Sequence, residues 1–215
     1  MTRLLRVVVA LALAGAGAFG LTMQGSRAAP TNAGVVPAAR PAPASATPTR
    51  VPDLVGTHSA KLADLAAAAT RVPVRLRVPS LGIDAPVASV GVAADGQLAV
   101  PNDLVRVGWY GAGALPGDAG TALIAAHVDH AHLPGVFFRL DRLAPGATVQ
   151  VVHADGTVST YSVAARRMIA KPLLPVADLT QPGGAPRLVL VTCGGSYDRG
   201  RRSYRDNVLV YAVLR

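Results

Sequence analysis

Glutamate is missing from this chain; every acidic residue is an aspartate. That excludes a His-Glu-x-x-His metal site, and no Cys-x-x-Cys pair offers a zinc site in its place. Cysteine occurs once, at Cys193, so no internal disulfide can form, and a lone cysteine in an exported chain marks a reactive thiol. Aromatic residues make up only 4% of the chain, and lysine occurs only at Lys61 and Lys171. The net charge of +9 is therefore an arginine excess, scattered along the sequence. Without aromatic interleaving or a binding motif it does not fit nucleic acid. It suits an anionic partner such as lipid headgroups or a cell-wall polymer.

One long apolar run exists, at the N-terminus. Arg3 and Arg6 precede an uncharged stretch over residues 7–23. The length and the flanking arginines predict a signal anchor over residues 1–27, left uncleaved because residues 26–29 make a poor small-x-small site, with a cleaved signal as the alternative. Either way the remainder is exported. Residues 28–70 follow as a Pro/Ala-rich spacer, too poor in bulky apolar side chains to fold, with a short helix expected over 58–70.

The folded domain is expected over residues 71–215, long enough to bury one core without staples. Residues 74–78 alternate with period two, as a half-buried strand does. Further strands are expected over 83–90, 97–100, 107–110, 121–128, 148–153, 157–163 (extending to 170), 187–193 and 208–214, with a helical turn over 136–140. Ala154-Asp155-Gly156 marks a hairpin. Eight or so short strands with little helix predict an all-β fold, an antiparallel barrel or sandwich.

The central stretch is Arg187-Leu-Val-Leu-Val-Thr-Cys193, bounded by Pro186 and by Gly194-Gly195. By default a cysteine in an apolar run is a small buried hydrophobe. Cys193, however, ends its strand beside glycines, where a substrate backbone can approach. His127 ends another apolar run in the same way. His130, His132 and Asp129 follow it, but their spacing does not make a metal site. Downstream of Cys193 a long polar stretch carries Arg199, Arg201, Arg202 and Arg205, of which Arg205 enters the last strand and is directed back toward Cys193 if the two strands are neighbours. A thiolate that attacks a carbonyl, a histidine that protonates the leaving amine and a guanidinium that holds the developing oxyanion make a set for acyl transfer through a thioester.

With this set the chain resembles the sortases. Thr192-Cys193 stands where the family has Thr-Leu-x-Thr-Cys, and Ala126-His127 where it has Gly-His. The Ala-His-Val-Asp, Thr-Cys-Gly-Gly and Tyr-Arg-Asp-Asn-Val segments resemble class F, and the similarity covers about 72–215. The resemblance implies an eight-stranded sortase β-barrel outside the cell, held by a single-pass N-terminal anchor. Cys193 would be the nucleophile, His127 the general acid/base and Arg205 the oxyanion stabiliser. Thr192 and Gly194 would help bind substrate. It implies no cofactor and no metal. The substrate would be a protein with a Leu-Pro-x-Thr-Gly sorting signal, cut between Thr and Gly, and the acceptor an amine, as on a cell-wall precursor. Asp129 is read as a turn residue rather than an orienter of His127. The alternatives are an L,D-transpeptidase, whose cysteine is followed by a hydrophobic residue and arginine rather than Gly194-Gly195, another envelope cysteine peptidase, and a tethered binding barrel with an inert thiol.

Overall fold

A computed structural model describes residues 32–38, 70–94 and 96–215. The expected anchor, and the expected helix apart from Thr70, lie outside the described residues.

Eight strands close into a barrel: β2 (Pro73–Val78), β3 (Ile83–Val90), β4 (Val107–Tyr110), β5 (Thr121–Ala125), β8 (Thr148–His153), β9 (Val158–Ala170), β10 (Arg187–Asp198) and β11 (Ser203–Leu214). Their order is β9-β11-β10-β5-β4-β3-β2-β8, and β8 pairs with β9 to complete the ring. A short strand β1 (Ala33–Gly34) pairs with β9 outside the ring, and β6 (Asp129–His130) with β7 (Leu133–Pro134) forms a small separate hairpin. One helical turn, α1 (Val176–Leu179), lies before β10.

The all-β barrel read from the strand pattern is present, with differences in detail. It is not wholly antiparallel: β10 runs parallel to β5, and β3 parallel to β4. β5 and β10 lie far apart in sequence, so local patterning does not register their pairing, whereas β3 and β4 are successive strands joined by a crossover through residues 91–106. Residues 97–100 contribute only an isolated bridge, Val92 to Leu98. The polar stretch after Cys193 is not a long loop. β10 continues to Asp198 and β11 begins at Ser203, so the two form one long hairpin around residues 199–202.

β10 is apolar at every position from Leu188 to Val191 because both of its faces are covered. Leu188 and Leu190 join Leu76, Ile124, Phe137, Tyr161 and Val210 inside the barrel. Val189 points outward into a second cluster with Leu123, Leu209, Tyr211 and Leu179 of α1. Arg187, at the start of the strand, is buried and donates to the Thr121 hydroxyl (2.9 Å) and to the carbonyls of Asp178 (3.3 Å) and Pro37 (3.2 Å). Its charge is thus spread over oxygens from three segments.

Residues 32–38 belong to the stretch read as spacer, yet they lie against the barrel. Their contacts use backbone groups, the Asn32 side chain and one valine, so a low content of bulky side chains does not prevent docking.

Candidate active site

In the parallel register of β10 and β5, Val189 pairs with Leu123, Leu190 with Ile124 and Val191 with Ala125. The Ala126 amide carries the pairing on by donating to the Val191 carbonyl at 3.2 Å. Continued by two residues, this register places His127 alongside Cys193. On the other side, Cys193 pairs with Asn207 of β11, and Arg205 lies two residues further along the same face of that strand. Cys193 of β10 and Arg205 of β11 thus share the outer face at one end of the barrel, and His127 sits at the same end, two residues past β5. Cys193 is partly buried rather than sealed in the core.

Two local devices hold this end in shape. Thr192 faces inward, and its hydroxyl donates to the Ala126 carbonyl at 2.8 Å, locking β10 to the residue before His127. The second is a β-bulge, in which Gly195 and Ser196 stand opposite Arg205 between the pairs Gly194–Asp206 and Tyr197–Tyr204. Only glycine suits the bulge. Gly195 has φ +72°, and a Cβ there would strike the Asp206 carboxylate, while a Cβ on Gly194 would meet Val208 Cγ2 at 2.7 Å.

The His127 backbone is held by the loop that follows it. Its carbonyl accepts from the Phe137 amide at 3.3 Å, and the Val128 carbonyl accepts from the Gly135 amide at 2.8 Å. Between them β6 and β7 turn through Ala131 and His132, both with positive φ. His130 and His132 are exposed on this small hairpin. Among the described residues no group of three His, Cys or Asp side chains is placed to hold a metal ion.

Asp129 does not orient His127. Its carboxylate accepts a 2.5 Å hydrogen bond from the Tyr204 hydroxyl, and Tyr204 stacks edge-on against Tyr197 with centroids 5.2 Å apart. The negative charge of Asp129, foremost through that hydrogen bond, pushes the Tyr204 phenol up to about 12. In the sequence Tyr204 shows only as the first residue of the Tyr-Arg-Asp-Asn-Val segment, immediately before Arg205, with nothing to link it to Asp129.

β10 and β11 are neighbours, but the Arg205 side chain is directed toward Asp198 rather than back toward Cys193 as expected. The Arg205 side chain is 66% exposed and rests 3.4 Å from Asp198. Asp198 itself is held below the usual carboxylate value, chiefly by the Arg201 amide. Thr192 and Gly194 line a cavity of about 160 Å³ beside Cys193, with Val128, Phe137 and Met168 as its apolar wall. A larger cavity of about 460 Å³ lies beyond Phe138, away from the thiol, between β3 and the loop through Pro134.

A family model of the sortase domain matches residues 76–215. The chain belongs to the sortase family. Members of that family are cysteine transpeptidases. No curated protein matches the chain. Among solved structures, this sortase is similar to sortase C1 of Streptococcus agalactiae, with 23% identity, a TM-score of 0.52 and 66% of each chain covered. It is similar to sortase C-1 of Actinomyces oris at 19% identity and a TM-score of 0.50, covering 66% of this chain and 72% of that one. It is also similar to sortase D5 of Clostridium perfringens at 20% identity and a TM-score of 0.50, covering 66% and 77%. The sortase barrel therefore spans about two thirds of the length of the first of these structures.

Proposed function

We propose that this sortase is an extracytoplasmic cysteine transpeptidase that cleaves a Leu-Pro-x-Thr-Gly type signal between Thr and Gly and passes the acyl group to an amine. What supports the reading is the strand order, which sets Cys193 of β10 between β11, which carries Arg205, and β5, which leads into His127. The Cys193 thiolate attacks the threonine carbonyl carbon, and the electron pair moves onto oxygen. Arg205 hydrogen-bonds that oxyanion. The His127 imidazolium gives its proton to the departing glycine nitrogen, leaving a thioester. An incoming amine then attacks the thioester, His127 takes up its proton, and an amide forms as the thiolate leaves.

Arg205 has to release Asp198 to reach the oxyanion. An ion pair this exposed is worth only about 0.2–1 kcal/mol, so the swing is cheap compared with what an oxyanion donor contributes. The cavity beside the thiol suits an apolar side chain of the peptide, with Gly194 leaving room for its backbone.

The same reading makes the acceptor a cell-wall precursor amine and the location the outer face of the membrane, through residues 1–27. Class F is the nearest pattern, on the Ala-His-Val-Asp, Thr-Cys-Gly-Gly and Tyr-Arg-Asp-Asn-Val segments.

Mass spectrometry of products from a panel of sorting-signal peptides, each with candidate amines, tests the proposal. The expected result is a Cys193 acyl adduct and an amide product, both absent in Cys193→Ala. A thiol that takes a labelling reagent but cleaves none of the peptides would overturn the substrate assignment.

A further inference from the structure

Residues 32–38 run along the barrel in an arrangement the catalytic reading does not use. The Asn32 side-chain oxygen accepts from the Met168 amide at 2.9 Å. Ala33 and Gly34 pair antiparallel with Arg166 and Ala165 of β9. Arg167 grips the same two residues, donating to the Ala33 carbonyl at 2.8 Å and the Gly34 carbonyl at 2.6 Å. Val36 packs on the outer cluster that contains Ala165, Leu209 and Tyr211, and Arg187 donates to the Pro37 carbonyl at 3.2 Å. Gly34 has φ +76°, and a Cβ there would strike the Ala164 carbonyl oxygen, so this contact requires glycine.

The direction of the segment matters. β9 runs toward the end of the barrel that carries Cys193, where Met168 lines the thiol cavity. β1 runs the opposite way, so Asn32, where the described segment begins, lies at the Cys193 end.

We propose that residues 32–38 are a strap that holds the Cys193 end of the barrel close to the membrane, with the arginines of the β10–β11 hairpin facing anionic lipid headgroups. The proposal adds an orientation to the function above, and rests on reading residues 1–27 as an anchor. Only residues 28–31 then separate anchor from strap, and their extended reach is at most about 18 Å. Tethered instead through the whole of 28–70, a flexible coil would typically span about 35 Å, and far more when extended. Near the same end Arg199, Arg201, Arg202 and Arg205 are exposed, against Asp198 and Asp206, and Lys171 reaches the hairpin through a 2.7 Å bond to Ser203. Tyr197, 52% exposed, adds an amphipathic ring of the kind found at bilayer interfaces. A barrel held this way takes substrate presented at the lipid surface.

The single cysteine provides the test. The full chain, labelled with a donor dye at Cys193, is reconstituted in vesicles with headgroup acceptors, and energy transfer is measured. Strong transfer is expected, falling about twofold or more in Gly34→Val and in Arg167→Ala as the tether lengthens. Arg199→Gln with Arg201→Gln and Arg202→Gln should reduce transfer in anionic vesicles and leave it unchanged in neutral ones. Equal transfer with and without the strap substitutions, in a chain retained through a carbonate wash, would overturn the strap. A chain removed by that wash would overturn the proposal through its anchor premise. A triple variant with unchanged transfer but lost binding to a soluble anionic polymer would assign the arginines to the polymer and overturn the lipid contact. Peptide cleavage by the unlabelled chain in detergent is read separately, so failure of the activity cannot be confused with failure of the orientation.

Discussion

Tyr204 donates a hydrogen bond to Asp129 across the end of the barrel, joining the loop two residues after His127 to the strand one residue before Arg205. The two residues are 75 positions apart in sequence. The bond fixes the spacing of the proposed acid/base and the proposed oxyanion donor on either side of the thiol. Tyr204→Phe keeps the ring against Tyr197 and removes only the hydroxyl. It is expected to lower kcat about tenfold, in line with the ~1.5–3 kcal/mol of a hydrogen bond to a charged group, with little change in KM. Asp129→Asn should act through the same contact, so the double variant should lose much less than the sum of the two. Additive losses in steady-state peptide cleavage would separate them.

The Thr192 hydroxyl is spent on the Ala126 carbonyl. Thr192→Val preserves shape and leaves that buried carbonyl without its donor, a cost of about 1–3 kcal/mol. Thermal melting should register the loss, and kcat should fall as the His127 segment shifts against β10. Thr192→Ser should restore both. Full stability in the valine variant would mean another donor takes over.

Arg205 and Asp198 make opposite predictions. Arg205→Lys loses the planar fork and should lower kcat/KM by about 100-fold or more, as removal of an oxyanion donor does. Asp198→Asn frees the guanidinium from its resting partner and should leave activity unchanged or raise it modestly. A lysine variant with full activity would move the role to Arg199, Arg201 or Arg202.

Much of this site was legible from the chain alone, for a physical reason. Cys193 and His127 each end an apolar run, and a reactive group there is visible without knowing the fold, although β10 itself runs past Cys193 to Asp198. Arg205 was one of four nearby arginines, and only the register with Asn207 and Cys193 puts it on the right face. The Asp129–Tyr204 bond left no mark in the sequence, because nothing local ties residues so far apart. The strap was illegible for a different reason: Ala33-Gly34 carries no apolar alternation, and Arg167 holds it by backbone carbonyls that every residue has.

Alkaline stability should depend on Tyr161. It is fully buried, its oxygen accepts from the Gly117 amide at 2.6 Å, and burial, the foremost cause, pushes its phenol up to about 12. A raised pKa means the folded state keeps the proton longer than the unfolded chain does. The stabilisation is therefore complete below pH 10 and is lost as pH rises from 10 toward 12. Urea unfolding across that range should show stability falling by up to about 1.4 kcal/mol per pH unit from this group. Tyr161→Phe should flatten the slope by that amount, and an unchanged slope would remove Tyr161 as its source.

The pairing of Ala33 with Arg166 also sets an order of assembly. The earliest strand described is the first to be synthesised, yet the edge it needs is made more than a hundred residues later. Contacts so distant along the chain are closed late, after the loop entropy has been met by other pairings. Segment 32–38 therefore docks only after β9 and β11 are in place, and its arrival marks a finished barrel.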